Sequence, residues 1–226
     1  MWQEEYQAWT EEEKYSLFAY AGTYWYVAPT LTEPDSLEIP VLHLAMTLHN
    51  AKLNKGRARP HLSSLKEVNA SIGRPDAALE PESGGAFKRE AEKFLEGVRQ
   101  EVNPDAPSRL ACYFVSIDED TASRRKADIR GQREIFPCRL LADGGVHFAD
   151  ITLFDDIVNS MGSPRARRLA EQYWSRDNSP VTVPSTNLEI LFGGSLYFPA
   201  WEQLPSLDFG RIASWCIARE AFLENG

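Results

Sequence analysis

Leu188-Glu189-Ile190-Leu191-Phe192-Gly193-Gly194-Ser195-Leu196-Tyr197-Phe198 is the stretch on which the fold turns. Two short apolar runs flank a glycine pair, so the pattern predicts two strands divided by a bulge or a tight turn. One carboxylate, Glu189, sits inside the first run. Upstream lies a Pro- and Ser-rich loop at 177–187, and before it a helix whose first turn accepts Pro164 and which carries Arg165 to Trp174. Downstream, Phe209, Ile212, Ala213, Cys216 and Ile217 recur at helical spacing and predict a final helix over about 208–223.

Further outward, Ile135-Phe136-Pro137-Cys138-Arg139-Leu140-Leu141 reads as a strand, with Pro137 favouring an edge or a bulge. The Asp143-Gly144-Gly145 turn follows, then a short mixed segment at 146–151 and a helical turn at 154–159. Leu110 to Val115 has the continuous apolar character of a buried strand, and Asp118 to Ala127 suits a short exposed helix. Phe87, Ala91, Phe94, Leu95 and Val98 mark an amphipathic helix over 86–101.

Towards the N-terminus, Gly56 to Gly85 is rich in Arg, Pro, Ser and Gly and predicts a long surface excursion. Val41 to Leu53 predicts a helix, residues 30–40 a loop, and Thr23-Tyr24-Trp25-Tyr26-Val27 a strand ending at Pro29. Thr10-Glu11-Glu12-Glu13 has the form of a capping box and opens a helix near Glu11. The expectation is one α+β domain over 1–226, with a helical and loop-rich part at about 1–104 and a β-rich part at about 105–226.

Composition narrows the function. Of 226 residues 43% are hydrophobic and 11% aromatic, enough for a packed core. A net charge of −9 argues against a surface that grips nucleic acid by bulk phosphate neutralisation. Cys112, Cys138 and Cys216 lack paired spacing and read as reduced core residues. The four scattered histidines suggest no metal site. With no basic-then-apolar leader and no run long enough to cross a bilayer, the expected location is the cytoplasm, away from membranes.

No phosphate loop, dinucleotide fingerprint, Gly-x-Ser-x-Gly elbow or His-Glu-x-x-His pair is present. The informative feature is an order of segments. Arg109 precedes the strand Ala111-Cys112-Tyr113-Phe114-Val115-Ser116; His147 and Asp150 follow; then come a helix ending Ala170-Glu171-Gln172-Tyr173-Trp174 and the strand Leu188-Glu189-Ile190-Leu191. Over about residues 105–205 this order resembles a poorly characterised bacterial family related to ADP-ribosyltransferases.

The resemblance implies a split pair of small β-sheets flanked by helices and gripping NAD. The late-strand carboxylate, Glu189, would be catalytic, and Arg109, Tyr26, Ser116 and Tyr113 would line the cofactor cleft. Cleaving the nicotinamide–ribose bond builds oxocarbenium character on the ribose, which a carboxylate stabilises, and the same carboxylate can activate an acceptor as a general base. Arg109 could hold a pyrophosphate with two parallel bonds. Tyr113 and Ser116 alternate along their strand, so at most one faces the cleft, and Ser116 is preferred. Tyr24 and Tyr26 share one side of their strand and can stack on a base or fill the core.

Other groups have plainer readings. His147 with Asp150 reads as a polar pair at the cleft rim or as loop decoration, the loop being favoured. Tyr173-Trp174 reads as a core anchor. Arg124, Arg125, Lys126, Arg130 and Arg133 form a basic run that reads as a solvated face or as an acceptor contact. The chain departs from the family pattern in lacking an Arg or His on its first strand and in having Asn187 two residues before Glu189.

The resulting expectation is an NAD-dependent ADP-ribosyltransferase of toxin or defence type. It would act on a protein or nucleic-acid acceptor, as in toxin–antitoxin or antiphage systems, and could be held by an inhibitory partner protein. Two alternatives stand beside it: a non-catalytic binding or regulatory protein on the same fold, and an unrelated nuclease-like or inhibitor protein.

Overall fold

The computed structural model describes residues 22–29, 47–58, 86–128 and 133–206. The helices expected from Glu11 and over 208–223 lie outside the described residues, as do the 30–40 loop and residues 59–85 of the long excursion.

The aromatic run predicted as the first strand forms β1 (Tyr24–Pro29). It pairs along its whole length with β4 (Arg133–Leu140), Tyr24 opposite Cys138 and Pro29 opposite Arg133. β4 continues onto β7 (Leu196–Tyr197), which also pairs with β2 (Arg57–Ala58), giving a four-stranded antiparallel sheet ordered β1-β4-β7-β2. β4 is therefore an inner strand. Pro137 is tolerated because β7 reaches only Arg139 and Leu140, so beside Pro137 that flank of β4 carries no ladder. β2 is a correction to the excursion read from Gly56 onward; two residues are too few to leave a period in the sequence.

A second, three-stranded antiparallel sheet has the order β3-β6-β5, built from β3 (Tyr113–Val115), β6 (Leu188–Phe192) and β5 (Val146–Asp150). The strand expected from Leu110 starts late because Arg109–Ala111 forms a 3-10 turn, capped by the Ser108 hydroxyl accepting from the Leu110 amide. The chain is thus α+β with two small antiparallel sheets.

The sheets are joined twice. Trp25 and Ser116 exchange backbone hydrogen bonds of 3.0 and 2.9 Å, stitching β1 to the end of β3. At the other junction Gly193-Gly194 carries the chain from β6 in one sheet to β7 in the other, beside the turn between β4 and β5. A Cβ on Gly144 would fall inside the backbone of Gly194, so only glycine permits these two crossings to touch. Asp143 fastens them by accepting from the Ser195 amide and hydroxyl, each at 2.6 Å, and from Arg57 at 2.8 Å. Burial alone would raise its pKa; the Ser195 and Arg57 bonds outweigh that and hold it below the ordinary Asp value.

Two apolar cores result. Between the sheets lie Tyr26, Tyr113, Val115, Ile190, Phe192 and Phe198. α2 (Glu119–Asp128) follows β3, and on the far side of the three-stranded sheet α1 (Ala86–Val102), α3 (Thr152–Ser160) and α4 (Pro164–Tyr173) bury Ala91, Leu95, Val98, Ile157, Tyr173 and Trp174 together with Leu191 of β6. Each large side chain so buried stabilises the fold by roughly 1.5–3 kcal/mol. The Trp174 indole donates to the Leu95 carbonyl at 2.9 Å and locks α4 to α1. Tyr173-Trp174 is thus the core anchor its sequence suggested. Among the described residues no helix is long and apolar enough to cross a membrane.

Candidate active site

All five residues of β6 are buried, because both faces of this strand are covered. Alternation sends Leu188, Ile190 and Phe192 to the core between the sheets and Glu189 with Leu191 to the helical side. A carboxylate in that position needs partners, and it has them.

Glu189 is 5% exposed. Its Oε2 accepts from the Arg109 guanidinium and, at 2.5 Å, from the Tyr173 hydroxyl. The Tyr173 hydroxyl in turn accepts from Arg109. On its other edge Arg109 forks onto Glu92 of α1, Nε to Oε2 at 2.8 Å and Nη2 to Oε1 at 3.1 Å. The guanidinium carbon Cζ lies 4.6 Å from the Phe154 ring centre and 4.8 Å from that of Phe114. Burial alone would lower the Arg109 pKa, but Glu189, Tyr173 and Glu92 outweigh it and hold it well above the ordinary arginine value. Burial, reinforced by Glu189, pushes the Tyr173 hydroxyl up, so it stays a donor.

The backbone delivers Arg109 here because the last turn of α1 grips the loop before it. Arg99 donates to the Pro104 and Ala106 carbonyls at 2.6 and 2.8 Å, and Ser108 donates to Glu96 at 2.8 Å. His147 enters the same layer from β5, its Nε2–H donating to the Tyr173 carbonyl at 2.8 Å. That bond places the proton on Nε2. Burial lowers the His147 pKa, against the opposing pull of the carbonyl and of Glu189.

Strand register adds Ser116. Val115 faces Ile190 across β3 and β6, so one further step sets Ser116 opposite Glu189; Ala149 flanks Glu189 on β5 and Trp25 flanks Ser116 on β1. Continued by that one residue past the end of the β3–β6 ladder, the register sets Trp25, Ser116, Glu189 and Ala149 in one row. By alternation Ser116 shares the face of Phe114, which packs on the helical side. Its hydroxyl is buried and has no hydrogen-bond partner among the described residues.

The residues singled out in the sequence therefore divide. Arg109 and Glu189 are in contact, and Ser116 lies in register with Glu189. Tyr26 and Tyr113 stand on the opposite side of the sheet, edge to face at 5.9 Å in the core between the sheets. Among the described residues their hydroxyls lack a well-formed hydrogen bond, with the Thr47 side chain beside both, and burial pushes both up. Tyr24 shares that core.

His147 corrects the loop reading: it is a buried strand residue, separated by alternation from Asp150, which instead accepts from the Thr152 amide and hydroxyl. The basic run does not form one surface either, since Arg133 is buried and Arg125 turns in to donate to the Leu188 carbonyl at 2.8 Å. Sequence reasoning missed Glu92 and the Tyr173 hydroxyl. For Glu92 a signal existed: it adjoins the apolar stripe Ala91, Leu95, Val98, at the flank where a long acid can reach inward.

Fold and site together define a mixed α+β protein in which a Glu–Arg–Glu centre, buried at Arg109 and Glu189 and half-buried at Glu92, is completed by a tyrosine and joins a three-stranded sheet to its helices. A family model described as "Protein of unknown function (DUF2441)" matches residues 49–198, about two-thirds of the chain and nearly every strand named above. The chain belongs to that family. A comparison with curated proteins finds no match.

Proposed function

We propose that this chain is an NAD-dependent ADP-ribosyltransferase of toxin or defence type, on an ADP-ribosyltransferase-like pair of split sheets, transferring ADP-ribose to a macromolecular acceptor in the cytoplasm. The observation that carries the reading is the register that, continued one residue past Val115–Ile190, lines up Trp25, Ser116 and Glu189: an aromatic residue, a hydroxyl with no partner among the described residues, and a carboxylate. Arg109, His147, Tyr173 and Glu189, drawn from four separate segments of the resemblance, also meet in one layer.

In this reading the nicotinamide–ribose bond breaks with its electron pair leaving on nicotinamide. The ribose carbon then bonds to a nucleophilic atom of the acceptor, which loses a proton. Both protein bonds to Glu189 fall on Oε2, so Oε1 is the oxygen that would face the developing positive charge. Ser116 would hydrogen-bond the nicotinamide amide or the ribose. Tyr26 and Tyr113 would support the row from behind as core residues.

The burial of Glu189 favours a second reading, a non-catalytic binding or regulatory protein on the same fold, because a carboxylate tied to arginine and tyrosine can serve as a structural brace. One experiment separates the two. Labelled NAD is incubated with the protein and cell extract, for wild type and Glu189→Gln, alongside thermal unfolding with and without NAD. The transferase reading expects transfer lost in the variant, and NAD at 100 times its Kd stabilising the fold by about 2.7 kcal/mol. Transfer unchanged by Glu189→Gln would defeat the site assignment. Absence of both transfer and stabilisation would leave the binding-protein reading.

A further inference from the structure

We propose that Arg109 is a positioning residue for Glu189 and not a contact to the pyrophosphate of the ligand. For activity this rests on the transferase reading; for geometry it rests on the observed bonds alone. A guanidinium has five N–H donors. Four of those on Arg109 are engaged: Nε and one on Nη2 by Glu92, and two on Nη1 by Tyr173 and Glu189. Its Cζ also lies over the rings of Phe114 and Phe154, which pack close to it. An incoming phosphate would have to displace a carboxylate from a buried partner and would meet the aromatic rings first.

What Arg109 does control is the carboxylate. Together with Tyr173 it fixes Oε2 of Glu189, and Glu92 fixes Arg109 from the opposite edge, so α1 is linked to β6 through one side chain. The orientation of Glu189 is thereby set from a helix that carries none of the residues in the Trp25–Ser116–Glu189 row.

The test is Arg109→Lys, which keeps the charge but cannot make the fork, with Glu92→Gln as a milder second variant that keeps an acceptor oxygen. Two measurements are made: steady-state transfer across NAD concentrations, and a crystal structure of each variant. Positioning predicts that Arg109→Lys lowers kcat by about 100-fold, the scale expected when a reacting group is misplaced by an ångström, with KM for NAD changed less than about threefold, and Glu92→Gln lowering kcat less. In the crystal, Glu189 of Arg109→Lys should leave the Tyr173 hydroxyl or adopt a second rotamer.

A rise in KM of tenfold or more with kcat unchanged would overturn the proposal, because Arg109 would then be meeting NAD itself. Glu189 held unmoved in the Arg109→Lys crystal would overturn it as well. If wild type neither binds nor consumes NAD, the transferase reading falls, and the crystallographic result still decides whether Arg109 orients Glu189.

Discussion

The two faces of the three-stranded sheet solve the same burial problem in opposite ways. Toward the other sheet, Leu188, Ile190 and Phe192 pack among aromatic and aliphatic side chains, and the Tyr26 and Tyr113 hydroxyls are left without well-formed bonds. Toward the helices, the same strand carries Glu189 into a centre where it shares one guanidinium, Arg109, with Glu92. One face depends on shape, the other on ion pairing. A buried ion pair contributes little net stability compared with an apolar replacement, yet breaking it from one side is costly. The helical face is therefore the one where a single substitution should do most harm.

The largest effect is expected from Arg109→Met, which strands Glu189 and Glu92 without a counter-ion and should cost about 3–5 kcal/mol in urea unfolding. Adding Glu189→Gln to it should restore a large part of that loss; a purely additive double variant would mean that the two residues do not share one network. On the apolar face, Ile190→Ala should cost about 3 kcal/mol through its cavity, and no charge change elsewhere should rescue it.

A pair of matched substitutions sharpens the contrast. Tyr173→Phe removes a hydroxyl bonded to a charged group and should cost about 2 kcal/mol. Tyr26→Phe removes a buried hydroxyl without a well-formed partner and should change stability by less than about 0.5 kcal/mol in either direction. Equal losses would erase the distinction between the faces.

The helical face also carries a pH dependence. The folded His147 pKa is depressed below its unfolded value of about 6.5, so the unfolded chain binds the extra proton first. Its contribution is whole above pH 6.5 and is lost as pH falls from there toward the folded pKa, by at most about 1.4 kcal/mol per pH unit. Unfolding at pH 7.5 and 5.5 should show a smaller difference in His147→Gln than in wild type.

The apolar face was the legible one. Aromatic and β-branched runs announced β1 and β6, and the glycine pair announced the break between β6 and β7, because alternation and turn chemistry are local. Glu189 and Arg109 were also visible as residues. Their relation was not, since 80 residues separate them and Glu92 stands a further 17 before Arg109. Charge pairing across such distances leaves no period in a sequence. Alternation alone sets Ser116 and Tyr113 on opposite faces, and they do face opposite ways; which of the two lies on the side of Glu189 needed the strand partners.

The glycine crossing has a consequence for how the chain assembles. Because β6 passes into β7 with no slack and the β4–β5 turn rests against that passage, neither sheet can be finished while the other is open. The contact joins segments about 50 residues apart, a long closure that forms slowly and rewards the chain only when both ends are in place. Unfolding should run the same way in reverse: once Gly144 and Gly194 part, both sheets lose their register together, and the described strands should melt in a single cooperative step.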